Sequence, residues 1–134
     1  MSFYIVSTPI GNLDDLTVRA EKVLRESSII LCEKKERALK LVSHLGLKNL
    51  RLISYHDDKV DSILQKVLEN NKAGKNISLI SDAGTPLISD PGNSLIKKFY
   101  RASVLIIFCE FRYVLERGRL LIEMQQNVRS CICN

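Results

Sequence analysis

The stretch Ile77-Ser78-Leu79-Ile80-Ser81-Asp82-Ala83-Gly84-Thr85-Pro86-Leu87-Ile88-Ser89-Asp90-Pro91-Gly92 decides how the chain folds. Its first four residues are an apolar run that reads as a buried strand. From Ser94 to Tyr100 the pattern is helical, and Pro91 stands where a proline opens a helix. Two of the three prolines and two of the six glycines fall between Ser81 and Gly92. Such density fixes the backbone and leaves its amides bare of side chains. Strand, tight loop and helix in this order place a ligand-holding loop beyond the carboxyl end of a strand in an open α/β sheet. An ordinary connection between strand and helix uses the same residue types, so the loop by itself defines no site.

Working outward, the same punctuation recurs at the start of the chain. Phe3 to Ser7 reads as a strand, and Thr8-Pro9-Ile10-Gly11-Asn12 as a turn. Asp14, Asp15 and Thr17 then suit a helix N-terminus, and Leu16, Ala20, Val23 and Leu24 fall on one helical face. Ser28 to Cys32 is a second strand. Lys34 to Leu45 follows as a helix with Ala38, Leu41, Val42 and Leu45 inward and Gly46 as its stop. Leu50 to Ser54 is a third strand. Asp57 and Asp58 cap a helix whose apolar face is Val60, Ile63, Leu64, Val67 and Leu68, closed by Gly74. Asn76 to Ile80 is the fourth strand, and Val104 to Phe108 can form another. Strands alternating with helices predict an α/β fold, a mostly parallel sheet with helices on both faces. Both proline-glycine turns follow strands, so a parallel sheet brings them to one edge, where they can face one ligand.

The length of 134 residues suits one domain with a real core, and 46% hydrophobic with 26% charged residues describes an ordinary globular chain. No apolar run approaches the ~20 residues of a membrane-spanning helix. Phe3-Tyr4-Ile5-Val6 leads straight into a strand and lacks the features of a signal peptide, so a cytoplasmic location is expected. The net charge of +5 permits an anionic partner, but lysines spread over solvated helix faces give the same sum. Cys32, Cys109, Cys131 and Cys133 have neither the spacing nor the histidines of a zinc site, so reduced thiols and no metal are expected. His44 and His56 stand alone at helix margins and read as packing or solvated residues. Asp82 and Asp90 are the carboxylates nearest the central loop, yet aspartate also serves as a turn or cap residue there. The catalytic base is unassigned.

The two turns carry a resemblance. Phe3-Tyr4-Ile5-Val6-Ser7-Thr8-Pro9-Ile10-Gly11-Asn12-Leu13-Asp14-Asp15-Leu16-Thr17 and Ser81 to Gly92 are similar to the two signatures of the tetrapyrrole methylase superfamily. The Pro9-Ile10-Gly11-Asn12 form of the first turn resembles the branch that methylates small-subunit ribosomal RNA, and His56-Asp57 resembles a further short motif. The match covers about residues 3 to 100. It implies S-adenosylmethionine in a cleft between two α/β domains, a homodimer, and methyl transfer to a ribose 2′-hydroxyl of a cytidine in ribosomal RNA. Carried over by motif, the cofactor contacts are Pro9, Ile10, Gly11, Asp82, Ala83, Gly84, Thr85, Pro86 and Ile88. The alternatives are a methyltransferase for a small tetrapyrrole-type molecule, and a remnant that folds and dimerises without catalysis.

Two departures stand out. The family's acidic-Thr-Arg motif after the second strand is replaced by Cys32-Glu33-Lys34-Lys35-Glu36-Arg37, in which Glu33 keeps register and Arg37 is offset by one. The plain reading of Lys34 to Arg37 is a solvated first helical turn. Beyond Tyr100 the family continues through a strand and a proline-glycine-proline linker into a C-terminal domain. Arg101 to Asn134 contains no proline and only Gly118. The expected organisation is therefore a methylase-like N-terminal α/β domain over residues 1–100. An atypical tail over 101–134 replaces the start of the second domain, through a reading-frame change or truncation. Half a cleft buries little of a ligand, so weak cofactor binding and poor catalysis are expected.

Overall fold

The structure, a computed structural model, describes residues 2–82, 84, 86, 93–102 and 105–109. Among the described residues five strands form one sheet: β1 (Phe3–Val6), β2 (Ser27–Cys32), β3 (Arg51–Ser54), β4 (Asn76–Ile80) and β5 (Ile106–Phe108). All pairings are parallel, and the spatial order is β3-β2-β4-β1-β5. The helices are α1 (Val18–Glu26), α2 (Lys35–His44), α3 (Val60–Lys72) and α4 (Asn93–Arg101). The predicted α/β class and the alternation of strand and helix are what the chain adopts. Pro91 and its part in opening α4 lie outside the described residues.

Both faces of the sheet are covered because the strands are apolar on both sides. Phe3, Ile5, Ile29, Leu31, Ile77 and Leu79 point to one face, where they meet Val60, Ile63 and Val67 of α3 and Leu95, Ile96 and Phe99 of α4. Val6, Ile30, Cys32 and Ile80 point to the other face, against Ala20, Val23 and Leu24 of α1 and Ala38, Leu41 and Val42 of α2. This is the period-two alternation of a strand read twice. On the first face Phe3 and Phe99 meet edge to face, with centroids 4.5 Å apart and planes at 85°. Such a pair adds about 1 kcal/mol to the area it buries.

The helix ends follow local chemistry. Thr17 caps α1 by accepting the Ala20 amide at 3.1 Å. Asp14 and Asp15 belong to a separate 3₁₀ turn, Leu13–Asp15, whose cap is Asn12. Gly46 (φ +61°) ends α2, with Gly46 N–H donating to the Ser43 carbonyl and Leu47 N–H to that of Val42. Asp57 and Asp58, read as the cap of α3, instead lie inside a 3₁₀ turn, Asp57–Lys59, that precedes it.

The connections explain why helices share faces in pairs. From β1 the chain passes over β4 to reach β2, then moves on to β3, and α1 and α2 cover the same face. From β3 it reverses direction to β4 and then passes over β1 to β5, so α3 and α4 cover the opposite face. Crossovers of one hand demand this exchange of faces when the direction of travel reverses. The neighbours β2 and β4 therefore send their helices to opposite faces, and a crevice opens between their carboxyl ends.

Candidate functional site

The two turns meet at the carboxyl edge of β1 and β4. Thr8 and Gly84 form a single antiparallel bridge, Thr8 N–H donating to the Gly84 carbonyl at 2.8 Å and Gly84 N–H to the Thr8 carbonyl at 3.0 Å. The Gly84 carbonyl also accepts the Ser81 hydroxyl at 3.1 Å, and the Thr8 hydroxyl lies 3.2 Å from the Ser81 carbonyl and 3.4 Å from that of Gly84. Thr8, Ser81 and Gly84 are all buried. Gly84 takes φ +88°, a conformation that glycine adopts without strain.

Of the residues nominated from the sequence, Pro9, Ile10, Gly11, Asp82, Gly84 and Pro86 are described, while Ala83, Thr85 and Ile88 lie outside the described residues. Pro9 and Asp82 line one small cleft with Thr8, Leu13, Arg37, Ala38, Leu41, Ile80 and Ser81. Ile10 is 65% exposed and leans over Gly84, on which an added Cβ would lie 3.6 Å from Ile10 Cδ1. Gly11 is exposed with φ +91°. The Gly84 amide and carbonyl are spent on Thr8, so this glycine offers shape and not a free backbone donor. The cleft holds about 40 Å³, room for a few waters and far below the roughly 300 Å³ at which ligand pockets begin.

Asp82 is committed to α2. Its Oδ1 accepts the Lys34 amide at 3.3 Å, and its Oδ2 lies 3.6 Å from Arg37 Nε and 3.9 Å from Lys34 Nζ. Its side chain is 15% exposed, against 57% for Lys34 and 58% for Arg37. Lys34 is the cap residue of α2 and makes no side-chain cap of its own, so Asp82 supplies the anion that this helix start lacks. This contact to a helix forty-eight positions away is not the local turn or cap role that the sequence offers for aspartate. Asp90 lies outside the described residues. Thr8, Ser81, Lys34 and Arg37 were not nominated as site residues. The Thr8 hydroxyl and the Ser81 carbonyl meet across more than seventy positions, and only the adjacency of β1 and β4 joins them.

The remaining chemistry-bearing residues stand apart. His44 Nε2 is 3.1 Å from Asp14 Oδ1 on the flank of α2. His56 Nε2 is 3.3 Å from the Ser54 hydroxyl, which donates to the Glu33 carbonyl at 2.9 Å. Cys32 and Cys109 are buried, and burial pushes the Cys32 thiol up to about 11. No group of residues suited to hold a metal ion occurs among the described residues, and none of the described helices is long and apolar enough to cross a membrane.

A parallel five-stranded sheet among the described residues, covered on both faces and with two proline-glycine turns bridged at one carboxyl edge, defines an open α/β domain. Residues 2–106 match the sequence profile of the tetrapyrrole (corrin/porphyrin) methylases, and the chain belongs to that family. The relatives of known name are methyltransferases. It is 46% identical over 95 residues to ribosomal RNA small subunit methyltransferase I of Coprothermobacter proteolyticus, covering 71% of this chain and 43% of that protein. It is 41% identical over 104 residues to the protein of the same name from Escherichia coli O157:H7, covering 78% of this chain and 36% of that one. The chain thus spans less than half the length of these relatives. In three dimensions it resembles uroporphyrin-III C-methyltransferase from Thermus thermophilus, with a TM-score of 0.62 at 20% identity over 81% of this chain and 47% of that one. That likeness concerns the fold.

Proposed function

We propose that this chain is the cofactor-side half of an S-adenosylmethionine-dependent methyltransferase whose acceptor is a ribose 2′-hydroxyl of a cytidine in small-subunit ribosomal RNA. The observation that carries the reading is the Thr8–Gly84 bridge, which locks the two family signatures side by side at the carboxyl edge of β1 and β4. Pro9, Ile10 and Gly11 would hold the cofactor from one side, and the loop Asp82-Ala83-Gly84-Thr85-Pro86 with Ile88 from the other. The exposed Ile10 suits the apolar surface of an adenine, and Gly11 presents a turn without a side chain in the way. When bound, S-adenosylmethionine supplies the activated methyl group. The residues of this chain hold and orient it, and none is assigned as the base for the ribose hydroxyl. A homodimer acting in the cytoplasm, and a boundary near residue 100 between the methylase unit and a divergent segment, belong to the same reading.

The shallow cleft sets the expected strength. A ligand covered on one side only loses much of its burial, so calorimetric titration of the 134-residue protein with S-adenosylmethionine should show weak one-to-one binding. A Kd of roughly millimolar, about −4 kcal/mol, is the expected range. Absence of heat in a folded sample at any attainable cofactor concentration would remove the reading.

A further inference from the structure

We infer that Lys34 and Arg37, held on Asp82, form a contact for a backbone phosphate of single-stranded RNA at the crevice between β2 and β4. The inference rests on the proposed function, in that RNA is taken as the substrate class. Its observations lie elsewhere, in the first turn of α2. Cations there oppose the partial positive charge of a helix N-terminus and cost stability where they stand. Lys34 and Arg37 nonetheless occupy this turn, with Lys35 beside them. The partner of both is Asp82, outside the helix, so their placement has a purpose beyond α2.

The tertiary structure supplies that purpose in three ways. The crevice between the carboxyl ends of β2 and β4 is where the sheet's connections diverge, the position at which open α/β sheets take ligands. The Lys34 amide and Asp82 Oδ1 span it at 3.3 Å, and Arg37 lines the cleft with Thr8 and Pro9. The ion pairs are loose, at 3.6 and 3.9 Å, and more than half of each cationic side chain is exposed. One carboxylate therefore aims two cations without spending their donors. Glu36 in this turn and Glu33 just before it are the nearby carboxylates beside Asp82, so the local charge is balanced and not a diffuse basic field. The fit is to one anion approaching along the cleft. A phosphodiester suits a guanidinium fork beside an ammonium point charge.

Fluorescence anisotropy of the 134-residue protein with a labelled pyrimidine-rich RNA, at about 50 to 200 mM salt, reads the contact directly. Each phosphate contact on a single strand contributes about 0.7 to the slope of log K against log salt. Lys34→Gln with Arg37→Gln should flatten that slope by roughly 0.7, the share of one phosphate, whereas Lys34→Arg with Arg37→Lys should keep it. Lys48→Gln with Lys75→Gln removes the same charge just before β3 and β4, at the amino end of the sheet, and should leave the slope unchanged. Equal flattening by both glutamine pairs, no flattening by the first, or no RNA binding by the unmodified protein would overturn the inference. So would loss of S-adenosylmethionine binding in the first pair with its RNA slope intact, because the cations would then serve the cofactor's carboxylate. If the unmodified protein binds RNA with the expected slopes but takes up no S-adenosylmethionine, the proposed function falls and the phosphate contact stands.

Discussion

Gly84 concentrates the demands of the site in one residue. Its φ of +88° lies where an L side chain crowds the backbone, and its carbonyl accepts from the Thr8 amide and the Ser81 hydroxyl. Gly84→Ala should cost about 1–2 kcal/mol in urea unfolding, from the backbone alone. The new methyl would sit 3.6 Å from Ile10 Cδ1, an ordinary contact, so adding Ile10→Ala should recover none of it. A full recovery in the double variant would show that crowding, and not φ, sets the cost. The glycine was legible in the sequence because a turn after a strand needs one. Thr8 and Ser81 were not, since a hydroxyl's partner is decided by which loops the sheet brings together.

At the scale of elements, local chemistry decides most boundaries. Thr17 accepts the Ala20 amide, and Thr17→Ala should lower stability by about 1 kcal/mol without changing the fold, as thermal unfolding followed by circular dichroism would register. A neutral result would mean that water replaces the cap. The stop of α2 at Gly46 and the inward faces of α2 and α3 follow from residue type and spacing and stand where the sequence places them, as do Ala20, Val23 and Leu24 of α1, whereas Leu16 precedes that helix in extended backbone. The N-terminus of α2 is the exception. Its anionic partner is Asp82, forty-eight positions away, and no local pattern announces it. The Asp57–Asp58 pair shows the converse, a cap signature that the chain spends on a 3₁₀ turn.

For the whole molecule, burial of the β2 side chains between two layers gives a pH signature. Cys32 is 1% exposed, and its thiol rises from 9.0 to about 11 because burial disfavours the thiolate. The unfolded chain releases this proton above pH 9 while the folded chain keeps it, so the unfolded state binds fewer protons and stability falls from about pH 9 to 11. Cys32→Ala should show a shallower fall over that window in urea titrations, and an identical fall would show that other groups account for it. The class of the fold, the identity of most elements and the two turns could be read from residue types and their spacing alone. Alternating periods of two and 3.6, with proline and glycine between them, admit few other arrangements. The strand order β3-β2-β4-β1-β5, which joins Thr8 to Gly84 and Lys34 to Asp82, emerges only when the chain packs. Strand neighbours are chosen by the handedness of crossovers and the packing of two cores at once, and those are properties of the assembled chain.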